Sequence, residues 1–163
     1  MQERNSQIGE SSGEATTTDM RWWTVVVDRR YLGRFTAGGE IVEQLTHFCR
    51  QEKIAAARFS LGGTVSTYTI GSFDETQRVW VTHRQASAAT IASAYGTILP
   101  RSDDGTLFVQ AQALFSDASG QLEGGRLFPP TIAHQIEFEL QVLSGVVPRR
   151  YCNPKSGLFD LHA

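Results

Sequence analysis

The chain has 163 residues, of which 40% are hydrophobic and 20% are charged, and its formal net charge is −2 at pH 7. This composition is typical of one soluble domain, and it excludes a membrane-spanning protein, a disulfide scaffold and a histone-like nucleic-acid binder. The charge is unevenly divided, because residues 1–19 hold four acidic groups and one basic group, whereas the remainder holds fourteen basic and thirteen acidic groups. That nearly neutral remainder lacks the basic excess of a strong DNA-binding domain.

The first twenty residues read MQERNSQIGESSGEATTTDM and contain one aliphatic side chain, Ile8. Such a segment cannot bury enough apolar surface to offset the entropy lost on ordering. We therefore predict a disordered tail at 1–20, or one that orders only on a partner, followed by a single domain at 21–163. No basic and then apolar export signal is present, which indicates a cytoplasmic protein.

The domain begins with extended segments and one helix. The residues WWTVVV at 22–27 predict a short buried strand, and 28–35 predict a second extended piece. Gly38 and Gly39 precede a helix at about 39–53, whose apolar side chains recur on one face: Ile41, Val42, Leu45, Phe48 and Cys49. We expect both Cys49 and Cys152 to be reduced, with Cys49 packed as a small apolar residue.

From residue 56 onward, short apolar segments alternate with glycine and aspartate turns, which is typical of strands joined by hairpins. Pro129-Pro130 predicts a break, and residues 131–143 alternate as a long half-buried strand with His134 on its apolar face. The predicted fold class is therefore α+β: a single domain with a central, largely antiparallel β-sheet, on which the main helix and further short helices pack.

The helix GEIVEQLTHFCRQEKI is followed by AAARFSLGGTVSTYTIGSFD, then by FVQAQALFSDASGQLEGGRL, and Ser156-Gly157-Leu158 lies near the end. In this order the segments resemble the plants and prokaryotes conserved domain, the PPC or PCC domain, over about residues 29–161. The resemblance implies a compact homotrimeric α+β domain. In plants that domain follows an AT-hook, and stand-alone prokaryotic members are labelled DNA-binding. Residues 1–20 contain no Arg-Gly-Arg-Pro element of the AT-hook kind.

Many prokaryotic members of that family carry His-x-His before the hairpin and Gly-Gly-His after it, a set that looks like a zinc site. The matching positions here are Gln110, Gln112 and Arg126, and Glu137 matches an acidic family position. A neutral amide is a poor zinc ligand and a guanidinium cannot be one. We therefore predict no metal and no other cofactor at these positions.

Three interpretations of the altered site remain open. The first is a structural network in which the amides, the Arg126 guanidinium and the Glu137 carboxylate replace the metal. The second is a pocket for a small anion, with Arg126 as its charge partner and the glutamines as donors. The third is a residual zinc site through His83 or His134.

Five arginines flank the predicted sheet and suggest one basic patch that would meet phosphate: Arg29, Arg30, Arg34, Arg149 and Arg150. Scattered surface charges or ion pairs between subunits are the alternative. No nucleophile elbow, phosphate loop or zinc-protease motif is present, so we assign no catalytic residue. We expect a DNA-binding or regulatory homotrimer without catalysis. The alternatives are a sensor or enzyme that binds a small anion near Arg126, and a scaffolding trimer.

Overall fold

The computed structural model describes residues 20–162, so the predicted tail at 1–20 lies outside the described residues except for Met20. In chain order the elements are β1 (Val25–Arg34), α1 (Ile41–Gln51), β2 (Ala57–Asp74), β3 (Val79–Gln85), β4 (Ala89–Pro100), β5 (Leu107–Ser116), β6 (Leu122–Gly145), β7 (Arg149–Cys152) and β8 (Phe159–His162). The predicted α+β class with an antiparallel sheet is confirmed. The further short helices are not found in residues 20–162, where brief turns join most of the strands.

Six strands form one sheet in the order β1-β6-β5-β4-β2-β3, and β7 pairs with β8 in a small second sheet. An additional pairing of β6 with β2 closes β2, β4, β5 and β6 into a ring of strands. Because side chains alternate across a strand, the ring has an inner and an outer face. The inner face holds core side chains that include Phe59, Ile98, Phe115 and Leu140. The outer face is therefore where polar residues of these strands gather.

Helix α1 forms where the sequence predicts it. Its N-cap is Glu40, whose side chain accepts a hydrogen bond from the backbone N–H of Glu43 at 2.8 Å. Its buried face joins the core through Ile41, Leu45 and Cys49, and Cys49 and Cys152 are both free thiols. Within residues 20–162 no helix has the length and apolar character needed to cross a bilayer.

Strand β1 differs from the prediction of a short buried strand at 22–27. It begins at Val25 and continues to Arg34, with a bulge at Asp28 where the register against β6 shifts. Its valines are exposed, with Val26 at 59%, because β1 lies at the edge of the sheet and β6 is its one partner strand among residues 20–162. The prediction that these residues are buried is therefore wrong for the single chain.

Strand β6 is longer and less regular than predicted. Its 24 residues form one strand through Pro129-Pro130, but the register against β2 shifts there and residues 129–131 have no partner in the ladder. Other parts of the strand pair with β1, β2 and β5. The expected alternation holds from Ile136 onward, but His134 is exposed rather than on the apolar face. His134 is the extra residue of a β-bulge against β2, and such an insertion reverses which residues face the core on either side of it.

Candidate functional site

Four polar residues of the ring lie side by side on its outer face. Gln112 of β5 pairs with Arg126 of β6, and Gln110 of β5 pairs with Thr97 of β4. Paired residues on neighbouring strands, and residues two apart on one strand, project to the same side of a sheet. The structure thus brings together Gln110, Gln112 and Arg126, the three positions that the sequence resemblance matches to histidines.

Arg126 is buried among aromatic rings. Only 7% of the residue is exposed. Its Cζ lies 4.8 Å from the ring centroid of Trp80, 5.0 Å from that of Phe128 and 5.5 Å from that of Phe108. Its Nε is buried without a hydrogen-bond partner. The rings therefore shield the guanidinium from water without supplying an anionic partner.

A second arginine, Arg150 of β7, reaches the same face. The β7–β8 hairpin is held there by Phe159, whose ring stacks on Phe108 with 4.3 Å between centroids. Nη2 of Arg150 donates a hydrogen bond to Oγ1 of Thr97 at 2.8 Å, and Nη1 donates to the carbonyl oxygen of Phe159 at 3.5 Å. Sequence reasoning assigned Arg150 to a DNA-facing patch, because nothing in its pattern showed that β7 folds back over β4.

The two arginines influence each other electrostatically. Burial, and next the positive charge of Arg150, lower the pKa of Arg126 below its ordinary value. Burial also lowers the pKa of Arg150, and the charge of Asp160 partly opposes that effect. Neither arginine forms an ion pair with any carboxylate of residues 20–162. Two positive charges therefore share a poorly solvated region.

Next to these arginines lies a cleft of about 420 Å³. Its polar lining comprises Arg58, Tyr95, Thr97, Gln110, Gln112 and Arg150, and the rest of the lining is apolar and includes Phe59. Oε1 of Gln110 is buried without a hydrogen-bond donor. An amide that rotates by 180° exchanges its oxygen for its NH₂ group, so Gln110 can also present donors at that position.

These residues do not fit the zinc ion that the family resemblance implies. Arg126 offers no lone pair to a metal, and the nearby charge of Arg150 would repel a cation. Within residues 20–162 no three His, Cys, Asp or Glu side chains are placed to hold a metal ion together. The remaining donors at the site are amides and hydroxyls, which are weak zinc ligands.

Glu137 does not join this cluster. It is the register partner of Arg34 in β1 and of Gly62 in β2, far along β6 from Arg126. The predicted structural network of amides, guanidinium and carboxylate therefore lacks its carboxylate. The error arises because the long, bulged β6 separates positions that appear close in sequence.

The five flanking arginines do not form one patch. Arg150 lies in the same cleft as Val25, at the start of β1, whereas Arg34 ends that strand about 30 Å away at a strand rise of ~3.3 Å per residue. Arg29 and Arg30 lie between them and are exposed, and Arg149 is exposed on β7. Nη1 of Arg29 donates to the hydroxyl oxygen of Tyr31 at 2.9 Å.

The two histidines considered for a residual zinc site lie apart. Nε2 of His83 is 2.7 Å from Oε1 of Glu123, and the Tyr68 hydroxyl donates to Oε2 of the same carboxylate at 2.9 Å. Burial, and next the bond to Glu123, raise the pKa of Tyr68 to about 12. His134 instead lines a separate cleft with Arg34 and Glu137. Sequence reasoning did not anticipate the contact between Glu123, Tyr68 and His83.

Solved structures of similar fold cover most of the chain. A metal-containing protein of Archaeoglobus fulgidus is 26% identical with a TM-score of 0.80, over 88% of this chain and 100% of that one. A plant- and prokaryote-conserved protein of Pyrococcus horikoshii is 26% identical with a TM-score of 0.79, over 88% and 98%. A "putative DNA binding protein" of Bacteroides thetaiotaomicron is 17% identical with a TM-score of 0.72, over 81% and 90%.

No curated protein matches the chain in sequence. The profile of the Plants and Prokaryotes Conserved (PCC) domain matches residues 24–144, which run from the start of β1 almost to the end of β6. The matched region includes α1, the strands of the ring and Arg126, but it ends before the β7–β8 hairpin that supplies Arg150. The protein therefore belongs to the PCC domain family.

Proposed function

We propose that the protein is a cytoplasmic DNA-binding or regulatory module that acts as a non-catalytic homotrimer. Membership of the PCC family supports this proposal, as does the fold shared with the Bacteroides protein that carries a DNA-binding designation. The observation that carries it is the open edge of β1, where valines and arginines are exposed on one strand.

Strand β1 has the properties of a surface that another chain covers. Val25, Val26 and Val27 are 38%, 59% and 41% exposed, and Leu32 is 84% exposed. Because β1 pairs only with β6, the backbone N–H and C=O groups along its other side face no strand among residues 20–162. Such an apolar open edge favours association with further copies, which removes both the apolar surface and the unpaired edge from water.

Assembly would also make DNA binding more effective. Arg29, Arg30 and Arg34 lie on the same strand as the exposed valines, so a trimer formed near β1 carries three copies of this basic strand. One nearly neutral subunit offers few phosphate contacts, whereas several subunits acting together multiply them. Binding of this kind needs no catalytic residue, and its affinity depends strongly on salt.

The assembly is tested by measuring the molar mass with light scattering. We expect a trimer for the wild-type protein and a smaller species for Val26→Asp, because a carboxylate on β1 would be buried against the partner chain. The matched control is Val81→Asp, a valine of β3 that is 53% exposed on the opposite edge strand. A monomeric wild type, or a control that dissociates while Val26→Asp stays trimeric, contradicts the β1 interface.

DNA binding is tested by fluorescence anisotropy with a long labelled duplex between about 50 and 200 mM salt. Replacing Arg29 and Arg30 by Gln should weaken binding and reduce the salt slope by about 0.9 for each phosphate that the protein no longer neutralises. The control removes two exposed arginines elsewhere, Arg50 and Arg84, and should change binding less. A trimer that binds no duplex at the lowest salt would instead favour the scaffolding function.

A further inference from the structure

Arg126 is a buried positive charge and Arg150 a half-buried one, and no carboxylate of residues 20–162 neutralises either through an ion pair. A buried charge is costly unless it is paired and hydrogen-bonded. Arg126 is 7% exposed and its Nε has no acceptor, and the Nε of Arg150 is likewise buried without one. The two guanidinium groups are also close enough for the charge of Arg150 to disfavour the charged form of Arg126, as its lowered pKa reflects.

The surroundings offset this cost only in part. The rings of Trp80, Phe108 and Phe128 attract the Arg126 guanidinium through cation–π contacts, which supply no hydrogen-bond acceptor. Asp160 favours the charged form of Arg150 without forming an ion pair with it. Within residues 20–162 the local balance is therefore positive.

The adjoining cleft combines a mainly apolar lining with polar side chains that can donate hydrogen bonds. Arg58 and Arg150 place two guanidinium groups in its wall. Arg126 does not line the cleft, but it pairs with Gln112, whose exposed amide does. Among residues 20–162 no acidic side chain lines this cleft, and Glu139 lines a smaller neighbouring cleft with Arg58 and Tyr95. Two guanidinium forks with amide and hydroxyl donors match the several acceptor oxygens of a phosphate group, which accepts bidentate hydrogen bonds from arginine.

The size and lining of the cleft narrow the ligand further. A volume of about 420 Å³ lies in the range of small-molecule sites and exceeds what a bare phosphate ion fills. The Tyr95 ring, which is 60% exposed, lines the same cleft and presents a surface for a flat ring. We infer that the cleft binds the phosphate group of a small phosphate ester that carries a planar ring. Arg150 in the cleft wall contacts the phosphate, the adjoining unpaired charge of Arg126 attracts it, and the ring lies against Tyr95.

This site does not require DNA binding, and its cleft borders the proposed trimer surface, because both include Val25 of β1. It uses β7, which lies beyond the matched family region, and it places cations where a zinc site would need neutral or anionic ligands. Phosphate bound here could also belong to nucleic acid, so the experiment must separate the two sources.

The first test is the melting temperature of the full chain at constant ionic strength. The probes are inorganic phosphate, adenosine 5′-monophosphate and adenosine. We expect adenosine 5′-monophosphate to raise the melting temperature by about 5–10 °C at ~100 times its Kd, phosphate to raise it less, and adenosine to leave it unchanged. A wild-type protein that responds to neither phosphate compound overturns the inference. So does an equal response to adenosine.

The second test uses two substitutions at the site and one matched control. Arg126→Met and Arg150→Gln should each weaken adenosine 5′-monophosphate binding by about 10- to 100-fold in calorimetric titration. Arg84→Gln, which removes an exposed arginine from β3, should bind like wild type. Unchanged affinity in both site variants contradicts the inference. If Arg126→Met does not fold, Arg150→Gln decides the question alone.

Two outcomes identify other roles for Arg126. If the ligand-free Arg126→Met protein melts well below the wild type while keeping its affinity for the probe, then Arg126 is a structural cation and the inference is wrong. Competition by duplex DNA, together with loss of DNA affinity in Arg126→Met, would assign the phosphate to nucleic acid and also overturn the small-ligand site. Unchanged DNA affinity in a variant that loses the probe supports the inference.

Discussion

Arg101 and Arg126 have opposite environments, and the contrast shows which charge the fold leaves unsatisfied. Arg101 lies at the surface, where its Nε donates to Oδ1 of Asp103 at 2.9 Å. Such a surface ion pair stabilises a protein little, because water already solvates both charges. Arg126 is buried, where an acidic partner would matter most, and no carboxylate of residues 20–162 pairs with it. A carboxylate therefore pairs with the surface arginine, where the pair stabilises the fold little, and not with the buried one. This distribution is expected if a ligand supplies the anion at Arg126.

The largest effect on stability should come from removing the ring that shields Arg126. Trp80→Ala deletes a side chain that packs on Phe128 and Phe73 and faces the Arg126 guanidinium. We expect a decrease of about 2–4 kcal/mol in the free energy of unfolding, from poorer packing and from hydration of the aromatic cluster. Urea denaturation measures it. A decrease below about 1 kcal/mol would mean that the ring does not shield the charge.

The next effect in size is the coupling between the ring and the charge. In a double-mutant cycle with Trp80→Ala and Arg126→Met, we expect a coupling free energy of about 0.5–2 kcal/mol, because the cation–π interaction requires both side chains. The same urea experiment on four proteins gives the value. Strictly additive changes would show that packing alone accounts for the effect of Trp80. The aromatic rings would then not stabilise the charge of Arg126, and its environment would differ less from that of Arg101.

Cys49 shows how burial affects the pKa of a group that carries no charge at pH 7. Burial raises the pKa of the Cys49 thiol to about 11, whereas an unfolded thiol ionises near pH ~8.5. Stability should therefore be unaffected below about pH 8.5 and should fall as the pH rises toward 11, because only the unfolded state loses the proton. Unfolding midpoints across this range should show a flatter profile for Cys49→Ala than for Cys152→Ala, which removes an exposed thiol. Equal slopes would contradict this prediction.

The smallest effect should come from the surface pair. A hydrogen bond from Arg101 lowers the pKa of Asp103 to about 2. The folded state therefore favours the carboxylate, and its stabilising contribution is complete above about pH 4 and is lost as the pH falls toward 2. Asp103→Asn should be slightly less stable than wild type at neutral pH, and the difference should vanish in acid. A difference that persists at pH 2 would show a role other than the ion pair.

The sequence predicted those parts of the fold that depend on local pattern. The apolar face of α1 and the alternation from Ile136 onward are visible in residue order, because helical and extended backbones repeat every 3.6 and 2 residues. The adjacency of Gln112 and Arg126 also follows from the chain, since a short hairpin joins β5 to β6.

The remainder depends on pairings that local pattern does not determine. The exposure of His134 comes from a bulge, and the position of Glu137 comes from the register of β6 against β1, which joins distant parts of the chain. Arg150 reaches Thr97 only because β7 and β8 fold back onto the ring. The exposed valines of β1 have the composition of a buried strand, and sequence alone does not distinguish burial inside one chain from burial between chains.

The length of β6 has a consequence for the synthesis of the protein on the ribosome. Val25, near the start of the domain, pairs with Gly145, and Ala57 of β2 pairs with Val142. Neither pairing can form until almost the whole domain has left the exit tunnel, so β1 with its exposed valines first lacks the one strand that pairs with it among residues 20–162. A topology dominated by such distant pairings folds slowly, and its unpaired apolar strands are prone to aggregate until folding is complete. The nascent β1 is thus open to contacts with other chains until β6 has been synthesised.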